Sequence, residues 1–519
     1  MKPGCWLVRA SVGSVLAAAA CGVDLGSNVA PAGPTPTPEA STPDTSTPDA
    51  DAGTDVDATV PAPTVTYVKA SNAREMARFG IVAIDGDTLA VGALGDASAS
   101  KDPTDKSAPN AGAVYVFRRN GKTWAQEAYI KASNARAGSF FGVTVALAGN
   151  TLAVGAIGES SAGAPDDTSA PSAGAVYVFT RAGTTWAEQA YLKASNARQD
   201  GQLGSSLALV GDVLVAGSSG ESSAAKGPNG DKNDTSAPNA GAAYVFARSG
   251  TSWTEQAYLK PSNTRKDAAF GSSIGFDGNT LAIGAIGEAS KARGVGGDDT
   301  DTSVQGAGAA YVFTGGGSTW TQRAYLKAMN TNPSADVVGR FGAAIGVSGD
   351  TVVVSAPIEA SKAKGINGDS NDTSALNAGA VYVYERKNGV FTPTTYLKAS
   401  NTRTLGLFGF SLAISGDELA VGSIGESSNG TGFDGNQNDI SAPNAGAIYT
   451  FKRTSGVWSQ THYLKATNPR GEAVFGYSVA RSQDTVAAGS VYETSSSTGI
   501  DGNGADTSAP QAGAVYLFR

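Results

Sequence analysis

The chain has 519 residues but only two cysteines, one histidine and no apolar run long enough to span a bilayer. Both cysteines, Cys5 and Cys21, lie in the first 21 residues, so disulfides cannot hold the rest of the chain together. His462 stands where equivalent segments carry Ala190 or Ala257, which indicates a surface substitution rather than a catalytic base. The net charge of −8 argues against nucleic acid or an anionic membrane surface as a partner.

Glycine is abundant, with 67 residues, and Val, Thr, Tyr and Phe recur in short runs. This composition predicts an all-β protein with many turns.

Residues 1–21 have the pattern of an export signal. Two positive charges precede a short apolar stretch that ends in small residues. The small residues stop directly before Cys21, which resembles a bacterial lipoprotein signal and implies that Cys21 is lipidated. The segment Ala18-x-Ala20 would also suit an ordinary signal peptidase that releases a soluble protein. We therefore expect an outer-membrane or cell-surface lipoprotein, and otherwise a secreted protein.

Residues 22–64 are rich in Pro, Thr, Ala and Asp, as in PAGPTPTPEASTPDTSTPDADAGTD. Such a segment has too little apolar surface to form a core, so it is predicted to be a disordered tether.

Residues 65–519 contain one unit seven times, at intervals of 62 to 71 residues. Each unit has a Tyr-x-Lys motif, a Phe-Gly pair (Leu203-Gly204 in the third copy) and a closing Ala-Gly-Ala-x-Tyr run. The seven motifs begin at Tyr67, Tyr129, Tyr191, Tyr258, Tyr325, Tyr396 and Tyr463. Three landmarks repeated seven times indicate an internal repeat architecture.

Each unit divides into four short strand-like runs, with hairpin signals such as Gly149-Asn150 between the first two. Four antiparallel strands repeated seven times predict a seven-bladed β-propeller, with a solenoid as the alternative architecture. The first copy begins with a spare fourth strand at residues 65–70, whereas the last copy stops at Arg519 without one. We expect the spare strand to complete the seventh blade and close the ring, which leaves no open sheet edge.

The Phe-Gly pair, the Leu-Ala-Val-Gly-Ala run at residues 89–93 and the Gly-Ala-Val-Tyr-Val-Phe ending together resemble FG-GAP repeats. These repeats build the N-terminal propeller of integrin α-subunits and occur in many bacterial surface proteins. Over residues 65–519 the resemblance implies a propeller, export, and binding or adhesion through loops. Family members often hold calcium in the first hairpin of a blade, but here that hairpin is only Asp85-Gly86-Asp87 or Gly416-Asp417. It is too short to wrap a cation.

A different loop, between the second and third strands, carries oxygen-bearing side chains at alternate positions in the third, fifth, sixth and seventh copies. Alternate oxygen ligands broken by Gly suit calcium, but the same residues also make Asx-turns, and both interpretations stay open. The candidate calcium ligands are Asn229, Asp231, Asn233, Asp234, Asn367, Asp369, Asn371, Asp372, Asp434, Asn436, Asn438, Asp439, Asp501, Asn503 and Asp506.

An acid precedes this loop in every copy, and Lys and Arg follow in the connections between copies, as in Lys193 and Arg198. We expect them to meet on one face, either as a surface ring of blade-to-blade ion pairs or as a polar binding platform. Trp residues that open the fourth strand, such as Trp186, either pack under the hairpin or stack on sugars.

No singular cluster of unlike residues breaks the repeat, so the sequence does not predict an enzyme. We expect an exported, monomeric surface scaffold for binding or adhesion, with a protein or glycan ligand. A membrane contact is expected only through the lipid anchor. The alternatives are a structural envelope protein without a discrete ligand and, with least support, a glycan-active enzyme.

Overall fold

The computed structural model describes residues 62–331 and 339–519. Within these ranges there is no helix, and hence none that is long and apolar enough to cross a membrane. The predicted signal, Cys21 and nearly all of the predicted tether lie outside the described residues. All regular structure consists of β-strands arranged in seven sheets.

The strands run antiparallel within each sheet, and each sheet forms one blade. The first three blades contain β2 Phe79–Asp85, β3 Thr88–Ala93, β4 Ala113–Asn120 and β5 Thr123–Ile130; β6 Thr144–Ala148, β7 Thr151–Ala156, β8 Ala175–Ala182 and β9 Thr185–Leu192; β10 Leu203–Val210, β11 Val213–Ser218, β12 Ala242–Ser249 and β13 Ser252–Leu259.

The last four blades have the same order, with a short fifth strand on the outer edge of the fourth and sixth blades. They contain β14 Phe270–Phe276, β15 Thr280–Ala285, β16 Gly294–Val295, β17 Ala309–Gly316 and β18 Thr319–Lys327; β19 Ile345–Ser348, β20 Thr351–Ala356, β21 Ala380–Lys387 and β22 Val390–Leu397; β23 Phe408–Ser415, β24 Glu418–Ser423, β25 Gly432–Phe433, β26 Ala447–Thr454 and β27 Val457–Lys465; β28 Ser478–Ser482, β29 Thr485–Ser490, β30 Ala514–Phe518 and the N-terminal β1 Val65–Val68.

The ring closes as predicted, because β1 is the outer strand of the seventh blade. It pairs antiparallel with β30, in a register that places Val65 opposite Phe518 and Val68 opposite Val515. The structure is thus a closed seven-bladed β-propeller with four principal antiparallel strands per blade, and the solenoid alternative is wrong.

The blades stack face to face, which explains why their third strands are apolar on both sides. In β8 the first five residues, AVYVF, are all buried. One apolar cluster joins Val114 and Val116 of the first blade to Phe141, Leu152 and others of the second. Neighbouring blades therefore share their cores, and each blade depends on the next for burial of its apolar surface.

The Phe-Gly motif marks the closest approach between blades. Gly142 has φ +87°, a left-handed conformation that L side chains rarely adopt. A Cβ atom on Gly92 in the preceding blade would collide with the carbonyl oxygen of Gly142. Gly80 and Gly489 have the same relation across the closure between the first and seventh blades. Glycine at these positions lets adjacent backbones touch.

Candidate functional site

The long loop between the second and third strands of each blade contacts the connection that enters from the previous blade. In the third blade, Arg198 of the connection donates through Nη1 to the Asp234 carbonyl oxygen (2.8 Å) and through Nη2 to that of Lys232 (2.7 Å). We call the surface formed by these loops and connections the loop face. The prediction that both lie on one face of the propeller is confirmed.

Every blade contains a buried lysine–carboxylate pair at the base of this face. The lysine ends or directly follows the outer strand, and the acid lies at the start of the long loop of the same blade. The N–O distances are 2.6 Å for Lys69–Glu493, 3.1 Å for Lys131–Asp96, 2.7 Å for Lys193–Glu159, 2.9 Å for Lys260–Glu221, 2.7 Å for Lys327–Glu288, 2.8 Å for Lys398–Glu359 and 2.7 Å for Lys465–Glu426.

For the lysines, the expected surface ring of blade-to-blade ion pairs is therefore wrong in two respects. Each lysine pairs with the acid of its own blade, and both side chains are at most 8% exposed in every pair. Burial lowers the pKa of Lys260 from its ordinary value, while the attraction of Glu221 opposes that change. Lys260 Nζ also donates to the Gly241 carbonyl oxygen at 2.6 Å, which further compensates its burial.

The carboxylate of each pair accepts further hydrogen bonds besides the one from its lysine. Glu221 accepts from the backbone amide of Ser223 through both oxygens, at 3.0 and 3.1 Å. Its Oε1 also accepts from Asn196 Nδ2 in the entering connection (3.2 Å). Tyr244 in turn donates to Asn196 Oδ1. This network ties one blade to the next and makes the loop base rigid.

Twelve of the fifteen candidate calcium ligands fall into three positions with different partners. The first position (Asn229, Asn367, Asp434, Asp501) accepts from the backbone amide of the Tyr-x-Lys tyrosine, at 2.8 to 3.0 Å. The second (Asp231, Asp369, Asn436, Asn503) accepts from the amide two residues later, which forms an Asx-turn. The last (Asp234, Asp372, Asp439, Asp506) accepts from the amide of the following loop serine.

The remaining candidates, Asn233, Asn371 and Asn438, are exposed at the tips of the loops. Along each loop the candidate side chains before the last aspartate are exposed, whereas Asp234 and its equivalents are half-buried. The structure thus places the candidates on one face but engages most of their oxygens with backbone amides. Within the described ranges, no group of three or more His, Cys, Asp or Glu side chains is arranged to hold a metal ion.

The calcium hypothesis has a direct thermal test. An ion that binds only the folded state raises the stability of that state by mass action. An Asx-turn whose hydrogen bond is already formed contributes a stability that does not depend on calcium. Because these oxygens already accept amide hydrogen bonds, we expect the same melting temperature in millimolar calcium and in chelator. A calcium-dependent rise that disappears in the Asp231→Asn/Asp369→Asn variant would instead establish the loops as calcium sites.

Acid should weaken these loops. Hydrogen bonds from the amides of Ala224 and Asn429 lower the pKa of Asp234 and Asp439, respectively. The stability that these ionised groups contribute is present above the ordinary aspartate pKa and is lost as pH falls through their lower folded pKa values. We expect the melting temperature to hold from pH 7 to about 5 and to fall below about 4. Calorimetry should show that the melting temperature of an Asp234→Asn/Asp439→Asn variant falls less steeply with decreasing pH. An unchanged slope would mean that these two carboxylates do not cause the loss of stability in acid.

Most of the aromatic residues at the start of the fourth strands are buried, and only Trp186 of the series is partly exposed. Arg248 lies over the ring of Trp253 at 5.2 Å, and Trp253 Nε1 donates to Gln189 of the preceding blade at 2.9 Å. The packing interpretation is confirmed for the buried rings. His462 is exposed and pairs with Asp434 Oδ2 at 2.9 Å, in agreement with a surface substitution.

Sequence reasoning missed equivalent loop carboxylates in other blades. Asp301 in the fourth blade accepts from the amide of Lys291, and Asp167 in the second accepts from that of Ala162, both at 2.7 Å. A position-by-position alignment of the seven copies would have found them, because each directly precedes a Thr-Ser pair in the same loop, as Asp234 does.

The FG-GAP repeat family model matches residues 65–117, 124–179 and 253–313. A comparison with curated proteins gives no significant match. The first matched segment spans β1 to β4, and the other two also run from an outer strand into the following blade. The chain is therefore a closed seven-bladed β-propeller in which three segments match the FG-GAP repeat.

Proposed function

We propose that this protein is an exported scaffold, anchored at the cell surface by its N-terminus, that presents the loop face of the propeller to a protein or glycan ligand. An FG-GAP propeller is compatible with ligand binding and is generally a non-enzymatic scaffold. The hydrogen-bonded carboxylates of the lysine pairs agree with a role in holding the loops rather than in catalysis.

The observation that carries the proposal is the alternation of exposure along the long loops. Asn229, Asp231 and Asn233 are exposed, while the residues between them are half-buried. The same alternation occurs in the fifth, sixth and seventh blades. A row of exposed amides and carboxylates on a rigid base can form directional hydrogen bonds to a ligand at a small entropic cost. Among the described residues, the opposite face consists of the short hairpins between the first and second and between the third and fourth strands.

A binding screen with the soluble propeller (residues 62–519) against glycans and extracellular proteins tests this proposal. Alanine at Asp231, Asp369, Asn436 and Asn503 should weaken binding at least about tenfold. The matched control replaces Val390 and Val457 with serine, because both lie in hairpins of the opposite face and are 60% and 70% exposed. Binding that survives the loop changes would place the ligand away from the loop face, and no binding at all would favour a structural envelope protein without a discrete ligand.

Anchoring at Cys21 is a separate part of the proposal. Cys21→Ser should shift the full-length protein from the membrane fraction to the soluble fraction and abolish labelling by a fatty acid. The reason is that a thioether-linked lipid requires the cysteine sulfur. Unchanged fractionation without a lipid label in the unmodified protein would instead support cleavage after Ala20 and secretion.

A further inference from the structure

The long loop between the second and third strands is shorter in two neighbouring blades than in the other five. It has 23 residues in the third to seventh blades, but 19 in the first (residues 94–112) and 18 in the second (residues 157–174). Both short loops lie entirely within the described residues. The sevenfold pattern is therefore broken on one side of the ring, at the first and second blades.

Hydrogen bonds show which residues the short loops lack. The last aspartate of the loop accepts from a backbone amide ten residues before it in the third blade, but six before it in the first and five in the second. Asp102 and Asp231 are equivalent, because each accepts from the amide two residues later, at 2.8 and 2.9 Å. Lys101 directly precedes Asp102, whereas residues 227–230 (GPNG) directly precede Asp231. The first blade thus lacks these four residues, and the second lacks them and one more.

In the five longer loops these four residues lie against the outer edge of their own blade, and we call them the covering segment. The covering segments are residues 227–230, 294–297, 365–368, 432–435 and 499–502. In the fifth blade, the Asn367 amide donates to the Tyr396 carbonyl oxygen (2.7 Å), and the Tyr396 amide donates to Asn367 Oδ1 (2.9 Å). The Lys398 amide donates to the Gly365 carbonyl oxygen (2.8 Å). The bond to the tyrosine carbonyl oxygen is present in all five blades, at 2.7 to 2.8 Å.

The covering segments share a sequence pattern that their backbone explains. The first residue is Gly with φ between 63 and 77°, and the third is Asn, Asp or Gly with φ between 51 and 73°. These left-handed conformations favour just these residue types. The second residue is apolar and packs towards the next blade: the ring centres of Phe433 and Phe518 are 5.5 Å apart, and Ile500 packs against the core of the first blade. The shared pattern is thus Gly, an apolar residue, Asn, Asp or Gly, and a final Gly.

The outer strands of the first two blades have no such cover. Among the described residues, β5 pairs only with β4, and β9 pairs only with β8. The motif tyrosines of these blades, Tyr129 and Tyr191, are half-buried, whereas the five equivalent tyrosines are 0 to 6% exposed. Neither strand contains proline, which would remove a backbone donor from its edge. Within this part of the chain, each edge therefore presents backbone donors and acceptors that form a template for another strand.

We propose that the outer edges of the first and second blades each bind an extended peptide segment of a partner protein, with the pattern Gly, apolar, Asn or Asp, Gly. This segment takes the place of the covering segment in the other five blades, which shows the backbone bonds that the edge makes and the residue types that fit it. The amide of the partner's Asn or Asp donates to the carbonyl oxygen of Tyr129 or Tyr191, and its side-chain oxygen accepts from the amide of the same tyrosine. Addition of a strand to a sheet edge is a common mode of peptide recognition. The site lies at the outer rim of the propeller and is independent of the loop-face ligand proposed above.

A peptide that contains the covering segment of the fifth blade is the probe. Residues 362–371, labelled with fluorescein and amidated, should bind the soluble propeller (residues 62–519) saturably in fluorescence polarisation, with a dissociation constant of about 1 mM or lower. Asn367→Pro in the peptide removes the amide that donates to the tyrosine and should weaken binding at least about tenfold. Ile366→Ser removes the apolar contact and should also weaken binding. Ser370→Ala, outside the covering segment, is the matched control and should leave binding unchanged.

Two insertions close the sites from within the chain. Gly-Ile-Asn-Gly inserted between Lys101 and Asp102, and Lys-Gly-Ile-Asn-Gly inserted between Gly163 and Ala164, give the first and second blades loops of 23 residues. Either insertion alone should weaken the apparent binding about twofold, because one of two sites remains. Both insertions together should abolish binding and raise the melting temperature. Conversely, deletion of residues 365–368 should open a third site, with deletion of residues 432–435 as the substitute if that variant does not fold.

Three results would overturn the inference: no saturable binding, equal binding of the Asn367→Pro peptide, or binding that is unchanged in the double insertion. Analytical ultracentrifugation of the free propeller tests the other occupant, a second copy of this chain. Self-association that the double insertion abolishes would show that the edges pair with each other and would overturn the proposal of a partner segment, whereas a monomer at all concentrations agrees with it. The loop-face screen tests the proposed function separately, so each proposal can fail without the other.

Discussion

A chain that begins at residue 71 should lose the cooperative unfolding transition that the 62–519 propeller shows. This truncation removes β1, the outer strand of the seventh blade, whose four residues pair with β30. Tyr67 and Val68 are buried in the closed ring, and burial of one such side chain contributes about 1.5–3 kcal/mol. The truncation also removes Lys69 and leaves Glu493 buried without its cation, at a cost of about 3–5 kcal/mol. Together these losses approach the whole stability of a typical domain, about 5–15 kcal/mol.

Differential scanning calorimetry of the two chains measures this effect. A synthetic peptide of residues 62–72 added to the truncated chain should restore the transition, because it supplies both the strand and Lys69. A scrambled peptide of the same composition is the control. If the chain from residue 71 melted at the temperature of the longer chain, the N-terminal strand would have no part in holding the ring closed.

The number of blades and the closure of the ring were predictable because each repeated landmark meets a backbone requirement. The glycine of the Phe-Gly pair is needed because Gly142 adopts φ +87°. Its partner Gly92 is needed because a side chain there would collide with the Gly142 carbonyl oxygen. The apolar third strand is needed because blades cover it on both faces. These requirements are local. The glycine of the Phe-Gly pair and the apolar third strand recur in all seven copies, whereas the partner glycine is replaced by Ser355 in the fifth copy.

The environment of the charged residues was not predictable in the same way. Spacing places Lys193 and Glu159 on one face, and this part of the prediction is confirmed. Their burial depends on the neighbouring connection, which lies over the pair and adds the Asn134 amide to the carboxylate. Burial of a pair by a segment of another blade depends on tertiary structure. The alternation of apolar and polar residues along a single strand does not indicate it.

The alternating Asp and Asn residues of the long loops show a second property that the sequence alone does not predict, namely what their side-chain oxygens bind. A carboxylate that accepts a backbone amide and one that ligates a cation require the same side chain at the same spacing. In the structure, Asp231 accepts the amide of Asn233, and the sequence is equally consistent with either use.

The buried pair of the sixth blade gives the second large expected effect. Lys465 is 0% exposed and Glu426 is 3% exposed, with 2.7 Å between Nζ and Oε2. Lys465→Met leaves the carboxylate of Glu426 buried without its cation, and Glu426→Gln leaves the ammonium without its counter-ion. We expect each single change to lower the free energy of unfolding by about 3–5 kcal/mol, because neither group can recover its lost hydration.

The double variant separates an unpaired charge from a general loss of packing. Lys465→Met/Glu426→Gln removes both charges, so we expect it to be more stable than either single variant. The coupling energy must then exceed the cost of one single change, about 3–5 kcal/mol. Denaturant unfolding of all four proteins gives this number from one thermodynamic cycle. Lys266→Met is the matched control, since Lys266 is 67% exposed and lies 4.0 Å from Asp267; it should change stability by less than about 1 kcal/mol. Strictly additive effects would mean that the pair contributes packing alone. A substantial coupling would show that the ion pair itself holds the base of the long loop, and that the loop face owes its rigidity to charges hidden beneath it.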